Sequence, residues 1–218
     1  MERGCKLQIV YLDTINSTQK YLKEKIVSNE LQASVCVSAD LQTDGIGSRN
    51  NKWISQKGNL FFSFALPLSS LPKDLKLAST SIYFSYLLKE LLCEFGSKVW
   101  IKWPNDFYID DKKIGGVITN IVGDIIICGI GLNLKKSPKN HSLLDIILDR
   151  KKLLELYCTN IEKKVLWKQV FSKYKLEFYR NQDFFTHNSE GIKVSLCDAK
   201  INDDGSLDID GERIYSLR

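Results

Sequence analysis

Residues 102–106, Lys-Trp-Pro-Asn-Asp, and residues 113–116, Lys-Ile-Gly-Gly, are the two segments that decide the fold of this chain. The β-branched and aromatic residues before the proline predict a strand, which the proline ends because it cannot donate to a sheet ladder. A second extended run follows, turns at residues 110–112 and leads into two glycines, where a ligand can approach the backbone closely. An ordinary solvent-exposed hairpin is the preferred interpretation for the Asp-Asp-Lys tip alone. The hairpin as a whole is expected to bring together Asn105, Asp106 and Lys113.

The composition predicts a globular protein. Its 218 residues are 44% hydrophobic, enough for one main core and a small second domain. No stretch approaches the run of about 20 apolar residues that spans a membrane, and the first residues lack the apolar run of a signal peptide. The six cysteines form no Cys-x-x-Cys pair and only two histidines occur, which disfavours a zinc site. Reduced thiols and a cytoplasmic location are therefore expected.

The charge pattern bears on binding partners. The net charge is +5, with short basic clusters at residues 135–136, 150–152 and 163–164 that are typical of solvated helix faces. A mild positive field also suits a negatively charged ligand or an acidic partner protein. Because the sequence has no strongly basic stripe or DNA-reading motif, specific nucleic-acid binding is not expected.

The pentapeptide, the spacing and the Lys-x-x-Gly segment resemble the signature of biotin protein ligases. The resemblance implies an α+β fold, with a mixed β-sheet backed by helices in a catalytic domain (residues 1–185) and a small C-terminal β-barrel (residues 186–218). It also implies a two-step reaction. Biotin and ATP form biotinyl-5′-adenylate, and a lysine of a carrier protein then accepts the biotinyl group.

A helix is expected to start after a first strand over residues 7–12. On local grounds Ser17 and Thr18 are helix caps. Biotin ligases carry Ser-Thr-Asn at this point, where the hydroxyls meet the ureido ring of biotin, a neutral group that offers N–H donors and a carbonyl acceptor. The third residue here is Gln19, which is one methylene longer.

The loop over residues 42–53 contains the second match. It is neither a P-loop nor a dinucleotide-binding fingerprint. In the family it reads Gly-Arg-Gly-Arg-x-x-Arg-x-Trp after a glutamine, and the matching residues here are Gln42, Gly45, Gly47 and Trp53. The two arginines are absent: their places are taken by Ile46 and Ser48, and Arg49 lies one residue later. Such a loop would fold over the adenylate and exclude water, although Trp53 is equally well explained as a core residue.

Residues 129–133, Gly-Ile-Gly-Leu-Asn, are the third match. Its glycines would let the ligand lie against backbone, with Asn133 facing the adenine or ribose, although two glycines in a bulged strand are the alternative interpretation. A buried strand over residues 59–66 shares the Asn-Leu-aromatic-x-Ser pattern of the family. Helical spacing is predicted over residues 75–95 and 153–178, and short hairpins follow a polar linker at residues 181–190.

The resemblance assigns roles to individual residues. The central catalytic contact is Lys113, bound first to the biotin carboxylate and then to the α-phosphate. The biotin-binding set is Ser17, Thr18, Gln19, Gln42, Gly45, Lys113, Gly116 and Gly129. The adenylate- and ATP-binding set is Ile46, Gly47, Ser48, Arg49, Trp53, Asn105, Asp106 and Asn133. Mg²⁺ should accompany ATP, and Asn105 and Asp106 would orient either that metal or the loop.

The implied partner is the apo form of a biotin carboxyl carrier protein, from acetyl-CoA carboxylase or a related biotin enzyme; homodimer formation stays open. One alternative is a lipoate or octanoate ligase, which the Lys-Trp-Pro-Asn-Asp segment and Gln42 disfavour. Another is a non-catalytic biotin sensor that regulates transcription. Only sixteen residues precede Ser17, too few for a helix-turn-helix domain, so a short-form ligase without specific DNA binding is expected.

Overall fold

The protein is described by a computed structural model over residues 6–48, 51–188 and 190–215. The strands of its first part are β1 (Gln8–Ile15), β2 (Val35–Gln42), β3 (Gly45–Ile46), β4 (Lys52–Trp53), β5 (Leu60–Pro67), β6 (Trp100–Lys102), β7 (Asp106–Ile109), β8 (Lys112–Val122) and β9 (Ile125–Leu132). Seven of them form one sheet in the order β1-β2-β5-β9-β8-β7-β6. Strands β1 and β2 are parallel and the other neighbours are antiparallel, which confirms the predicted mixed sheet.

The helices are α1 (Thr18–Val27), α2 (Thr80–Glu94), α3 (Arg150–Glu162) and α4 (Trp167–Glu177). Most of residues 153–178, where helical spacing is predicted, is helical, but the segment is divided into α3 and α4 because the chain breaks between them. Lys164 there has the left-handed φ of 48°, and the hydroxyl of Tyr83 on α2 donates to the Val165 carbonyl at 2.9 Å. The apolar spacing continues through both helices, so the sequence pattern does not show the break.

The helices cover the sheet on both faces. Helices α2, α3 and α4 pack on one face in the large core, where the Phe64 ring of β5 meets Phe84 of α2 edge-on at 4.9 Å between centroids. Helix α1 covers the other face, and its Leu22 packs in a smaller cluster with Ala65 and Ile127. Fully buried aromatic rings in close contact contribute strongly to stability, so the large core is the stable body of the molecule.

Side-chain alternation along β9 leaves a trough on the α1 face. The even-numbered residues of β9 all point into the large core: Ile126, Cys128, Ile130 and Leu132. The odd-numbered residues face α1, and they change from Ile127 to two glycines, Gly129 and Gly131. Because side chains on one face of a strand repeat every two residues, the sheet surface is bare backbone beyond the end of α1.

The C-terminal part forms two small sheets. Its strands are β10 (Phe185–His187), β11 (Lys193–Ser195), β12 (Lys200–Ile201), β13 (Leu207–Ile209) and β14 (Glu212–Ile214). Strands β10 and β11 pair as a hairpin, and β12, β13 and β14 form a three-stranded meander. Among the residues that are described these sheets do not close into a barrel. The predicted boundary between residues 185 and 186 falls at the start of β10 and stays a prediction.

The meander is anchored to the main core through the turn between β12 and β13. The indole of Trp103 donates to the Gly205 carbonyl at 2.8 Å, and that of Trp167 donates to the Asp203 carbonyl at 2.7 Å. Gly205 has a φ of 77°, and a methyl group added there would lie 2.5 Å from Cδ1 of Ile82. The tryptophan of the Lys-Trp-Pro-Asn-Asp segment therefore holds the C-terminal part in place.

Neither a membrane-spanning helix nor a disulfide occurs among the residues that the structure describes. No helix among them is both long and apolar enough to cross a lipid bilayer. Their five cysteines, Cys36, Cys93, Cys128, Cys158 and Cys197, are unpaired, whereas Cys5 lies outside the described residues.

Candidate active site

A β-bulge directs Lys113 into the trough. Residue Phe107 of β7 pairs with Gly115, but the next residue, Tyr108, pairs with Lys113, so Ile114 is the extra residue on β8. Ile114 points into the large core and is fully buried, and the bulge turns Lys113 towards the α1 face. Bulges commonly re-aim a side chain in this way. The interrupted ladder is compensated by loop amides, since Asn133 N donates to the Ile114 carbonyl at 2.7 Å and Ser142 N to the Lys113 carbonyl at 2.9 Å.

Lys113 forms an ion pair across the hairpin. Its Nζ lies 2.6 Å from Oδ1 of Asp106, and the two side chains keep 26% and 20% of their surface exposed. Gly116, which pairs with Asp106, makes room for that carboxylate: a methyl group at Gly116 would lie 2.9 Å from Oδ1. The pair is therefore reachable from the trough, and the cation can exchange its carboxylate partner for an anionic ligand.

Asn105 lies behind this pair and is tied to β8. Its side-chain amide donates to the carbonyl of Val117, and its own carbonyl accepts from Val117 N at 2.9 Å. Only 2% of Asn105 is exposed. These contacts fix the turn between β6 and β7, which sets the position of Asp106.

The N-terminus of α1 forms the opposite wall. Ser17 is the N-cap, as local sequence predicts, and its hydroxyl accepts from Lys20 N. Oε1 of Gln42 accepts from both Thr18 N (2.8 Å) and Thr18 Oγ1 (3.1 Å). The Thr18 hydroxyl has one proton and gives it to Gln42, so Ser63 Oγ, at 2.9 Å, donates to Thr18. The first turn of α1 thus both caps the helix and supplies side chains that line the cleft.

Two buried polar atoms at the cleft have no hydrogen-bond partner in the described part of the chain. They are Oε1 of Gln19 and Nε1 of Trp53. A methyl group on Gly129 would lie 2.5 Å from Gln19 Oε1, and one on Gly131 would lie 2.6 Å from Cε2 of Trp53. Buried polar groups normally find partners, so an acceptor and a donor in one cleft indicate a polar ligand.

The glycine-containing loop forms the lid of the cleft. Strands β3 and β4 pair Gly45 with Trp53 and Ile46 with Lys52, and Gly47 N donates to the Asn51 carbonyl at 2.7 Å. Trp53 lies on Gly131 and lines the cleft rather than joining the large core. The interpretation of Trp53 as a cover is therefore the one that the geometry favours.

The structure brings most of the predicted residues into a single cleft of about 470 Å³, its open mouth included. The predicted residues that line it are Ser17, Thr18, Gln19, Gln42, Ile46, Gly47, Ser48, Trp53, Asn105, Asp106, Lys113, Gly116 and Gly129. Gly45 lies just behind this lining, and a methyl group there would be 3.1 Å from Nε2 of Gln42. Arg49 lies outside the described residues.

Five lining residues are absent from the binding sets assigned by sequence: Ser63, Val117, Ile118, Ile130 and Gly131. Two of them had a signal. Ser63 ends the Asn-Leu-aromatic-x-Ser pattern, and Gly131 belongs to the Gly-x-Gly segment of β9. The other three line the cleft only because of the sheet register, which pairs Val117 with Ile130 and Ile118 with Gly129.

Asn133 does not line the cleft. It is fully buried, and its side chain lies between Asn59 Nδ2 (3.4 Å) and the Ser142 carbonyl (3.3 Å). Oδ1 of Asn59 accepts from three successive backbone amides at distances of 2.9–3.1 Å, those of Leu134, Lys135 and Lys136. In this structure the two asparagines shape the turn after β9, and a contact of Asn133 with adenine or ribose stays a prediction.

Comparison with known proteins identifies the family. A model of the biotin/lipoate A/B protein ligase family matches residues 11–134, more than half of the 218 residues. The chain belongs to the biotin/lipoate A/B protein ligase family. The residues matched run from β1 to the turn after β9 and include the whole cleft described above. The sequence resemblance is confirmed.

Individual relatives and solved structures support the same family assignment. The bifunctional ligase/repressor BirA of Escherichia coli is 32% identical over 144 residues, covering 63% of this chain and 44% of that protein. This chain thus spans less than half the length of that relative. Biotin acetyl coenzyme A carboxylase synthetase of Helicobacter pylori, solved with bound biotinylated ATP, is 42% identical with a TM-score of 0.91, covering 96% of this chain and 99% of that one. A biotin protein ligase of Aquifex aeolicus, solved with biotin and ATP, is 26% identical with a TM-score of 0.75, covering 92% and 90%.

Proposed function

We propose that this chain is a biotin protein ligase, which activates biotin with ATP and transfers the biotinyl group to a lysine of a carrier protein. The observation that carries the proposal is the polarity of the cleft. Neutral amide groups of Gln19 and Gln42 and the cation of Lys113 line the same cleft. Strand β2, which carries Gln42, is separated in the sheet by β5, β9 and β8 from β7, which carries Asp106, the ion-pair partner of Lys113. Biotin has the same arrangement, with a neutral ureido ring at one end and a carboxylate at the end of an aliphatic chain.

Recognition of the ureido ring rests on matched hydrogen bonds. Gln19 Oε1 is a buried acceptor that requires an N–H donor, and Gln42 presents an amide NH₂ group held by its contacts with Thr18 and Ser55. A cyclic urea supplies both N–H donors and a carbonyl acceptor. A ligand without an N–H leaves the buried Oε1 of Gln19 unpaired, which costs about 1–3 kcal/mol.

Lys113 carries the chemistry of the first step. The biotin carboxylate attacks the α-phosphate of ATP, a mixed anhydride forms, and pyrophosphate leaves. Negative charge concentrates between carboxylate and phosphate, where the Lys113 ammonium is within reach once it leaves Asp106. In the second step the neutral lysine amine of the carrier attacks the acyl carbon, and AMP leaves with the bonding electrons. The protein needs no nucleophile of its own; it positions the groups and excludes water.

The donor set of the cleft fits Mg²⁺ that arrives with the nucleotide. No group of three or more His, Cys, Asp and Glu residues that could hold a metal occurs within residues 6–48, 51–188 and 190–215. Mg²⁺ typically keeps several waters and is held by one or two carboxylates together with substrate phosphates. Asp106 supplies a cleft carboxylate for that purpose, and the ion would neutralise the leaving pyrophosphate.

The acceptor is proposed to be the apo form of a biotin carboxyl carrier protein. Its support is similarity, since a relative from Paracoccus denitrificans, 30% identical over 118 residues, is a biotin–[acetyl-CoA-carboxylase] ligase. A lipoate or octanoate ligase is the main alternative. The buried acceptor on Gln19 argues against it, because a dithiolane or alkyl head has no N–H to donate.

The deciding experiment offers the purified protein ATP, Mg²⁺ and an apo carrier domain, with biotin, lipoate or octanoate in parallel reactions. We expect a mass increase of the carrier, by intact-protein mass spectrometry, with biotin alone. A carrier modified only by lipoate or octanoate would show that the chain is a lipoate or octanoate ligase instead. Tight biotin binding without any modification of the carrier would instead indicate a sensor.

The lid departs from the family pattern, and this predicts fast release of the adenylate. Ile46 and Ser48 line the cleft where the family has arginines, so the fork-shaped donors that would bind the phosphate or Asp106 are missing there. Ser48→Arg is expected to slow dissociation of biotinyl-adenylate about tenfold, the lower end for a charge-assisted hydrogen bond. Stopped-flow tryptophan fluorescence, with Trp53 as the reporter on the lid, measures the rate.

Ser48→Gln is the matched control for this variant, since it is long and polar but uncharged. It should release the adenylate at close to the wild-type rate. Equal rates for Ser48→Arg and wild type would mean that retention depends on other parts of the cleft.

A further inference from the structure

The carboxamide of Gln19 is held in one orientation by two acceptors. Its Nε2 lies 3.1 Å from Oδ1 of Asn120 and 3.2 Å from the carbonyl of Ile127. A carbonyl only accepts, so the group that faces Ile127 must be the NH₂ end of the amide. The assignment of nitrogen and oxygen in Gln19 therefore follows from chemistry, and Oε1 must point the other way, over Gly129.

This orientation leaves a buried acceptor aimed into the cleft. Gln19 is 6% exposed, and its Oε1 has no donor within the part of the chain that the structure describes. If the amide were turned over, its NH₂ would face the cleft and its oxygen would lie against the Ile127 carbonyl and Asn120. The orientation thus decides whether the cleft accepts or donates a hydrogen bond at this position.

Asn120 lies outside the cleft, on the exposed half of β8, where it pairs with Ile127 across the ladder. Its side chain extends over the α1 face and reaches Gln19, 101 residues earlier in the chain. Glutamine has one more rotatable bond than asparagine and loses more rotamer freedom when fixed. The hydrogen bond to Asn120, in addition to the one to the Ile127 carbonyl, offsets this larger loss of side-chain entropy.

We propose that Asn120 is a positioning residue for biotin recognition: it holds the NH₂ of Gln19 so that Oε1 accepts an N–H of the ureido ring. This inference rests on the proposed function. Asn120 contributes to specificity from outside the cleft lining, and its hydrogen bond explains how a glutamine serves where relatives carry asparagine. A ligand whose head lacks an N–H gains nothing from Asn120.

The test is the equilibrium dissociation constant for biotin, measured by titration calorimetry on the full chain without ATP. Asn120→Ala removes the anchor and is expected to weaken biotin binding roughly three- to tenfold, as for one lost hydrogen bond. Asn120→Asp keeps an acceptor oxygen and should bind within about twofold of wild type. Ile121 is the exposed residue next to Asn120 on β8, so Ile121→Ala controls for a general disturbance of the strand. This variant should bind biotin with the wild-type dissociation constant.

A double-mutant cycle with Gln19→Ala separates positioning from a general structural effect. Asn120→Ala should weaken binding in the wild-type background and have no effect when Gln19 is already alanine, because residues in one network are not additive. Unchanged binding in Asn120→Ala, or an equal loss in both backgrounds, overturns the inference while biotin binding by the wild type still stands. A wild-type protein that does not bind biotin overturns the proposed function, and the inference with it.

Discussion

Replacing Lys113 by alanine is expected to lower the rate of biotinyl-adenylate formation about a hundredfold while leaving the fold intact. A charge-assisted contact to the reacting groups is worth about 1.5–3 kcal/mol, and each 1.36 kcal/mol is a factor of about ten in rate. The loss is placed near the upper end because Asp106 then stands unpaired beside the incoming carboxylate. Biotin-dependent exchange of pyrophosphate into ATP measures this step.

Two further variants make the result specific. Lys112→Ala removes an exposed lysine next to Lys113 on β8 and should exchange pyrophosphate at the wild-type rate. Lys113→Ala combined with Asp106→Asn removes the unpaired carboxylate and isolates the loss of the cation. The Lys113 side chain is partly exposed, so its removal should shift the thermal midpoint little. A folded Lys113→Ala protein with near-wild-type exchange would reject Lys113 as the charge stabiliser.

Replacing Trp103 by alanine is expected to lower the free energy of unfolding by about 3–5 kcal/mol, the usual range for a buried tryptophan. Trp103 is fully buried, its backbone N–H donates to Oδ1 of Asn181 at 2.7 Å, and its indole holds the Gly205 carbonyl. Alanine leaves a cavity at the point where the meander β12-β13-β14 joins the main core. Denaturant unfolding followed by circular dichroism gives the free energy.

Comparison with two aromatic variants tests the assigned cause. Trp103→Phe keeps most of the buried ring but leaves the Gly205 carbonyl without its indole donor, so it should lose less than alanine does. Tyr179→Ala truncates a side chain that is 63% exposed and should change stability by about 0.5 kcal/mol or less. If Trp103→Ala unfolds at the same denaturant concentration as wild type, the anchoring role of this residue is wrong.

The sequence predicted those parts of the site that depend on local patterns. Proline ends a strand and glycines leave bare backbone, so the hairpin over residues 102–116 and the proximity of Lys113 to Asp106 were expected from residue types alone, although their ion pair was not. Ser17 caps its helix because a hydroxyl before a helical stretch satisfies the first amides. The alternation of β9, with glycines facing one side, is likewise visible in the printed residues.

Contacts between distant residues required the tertiary structure. Two features of the site depend on how whole strands are aligned: the bulge at Ile114 that directs Lys113, and the contact between Asn120 and Gln19. A change of register by one residue would move these side chains to the other face of the sheet. The break between α3 and α4 at Lys164 likewise depends on α2, because the Tyr83 hydroxyl of α2 donates a hydrogen bond to the Val165 carbonyl. The sequence by itself thus determined which backbone shapes and chemical groups are present. Only the fold decided which side chains meet, because long-range pairing depends on the combined packing of the sheet and its helices.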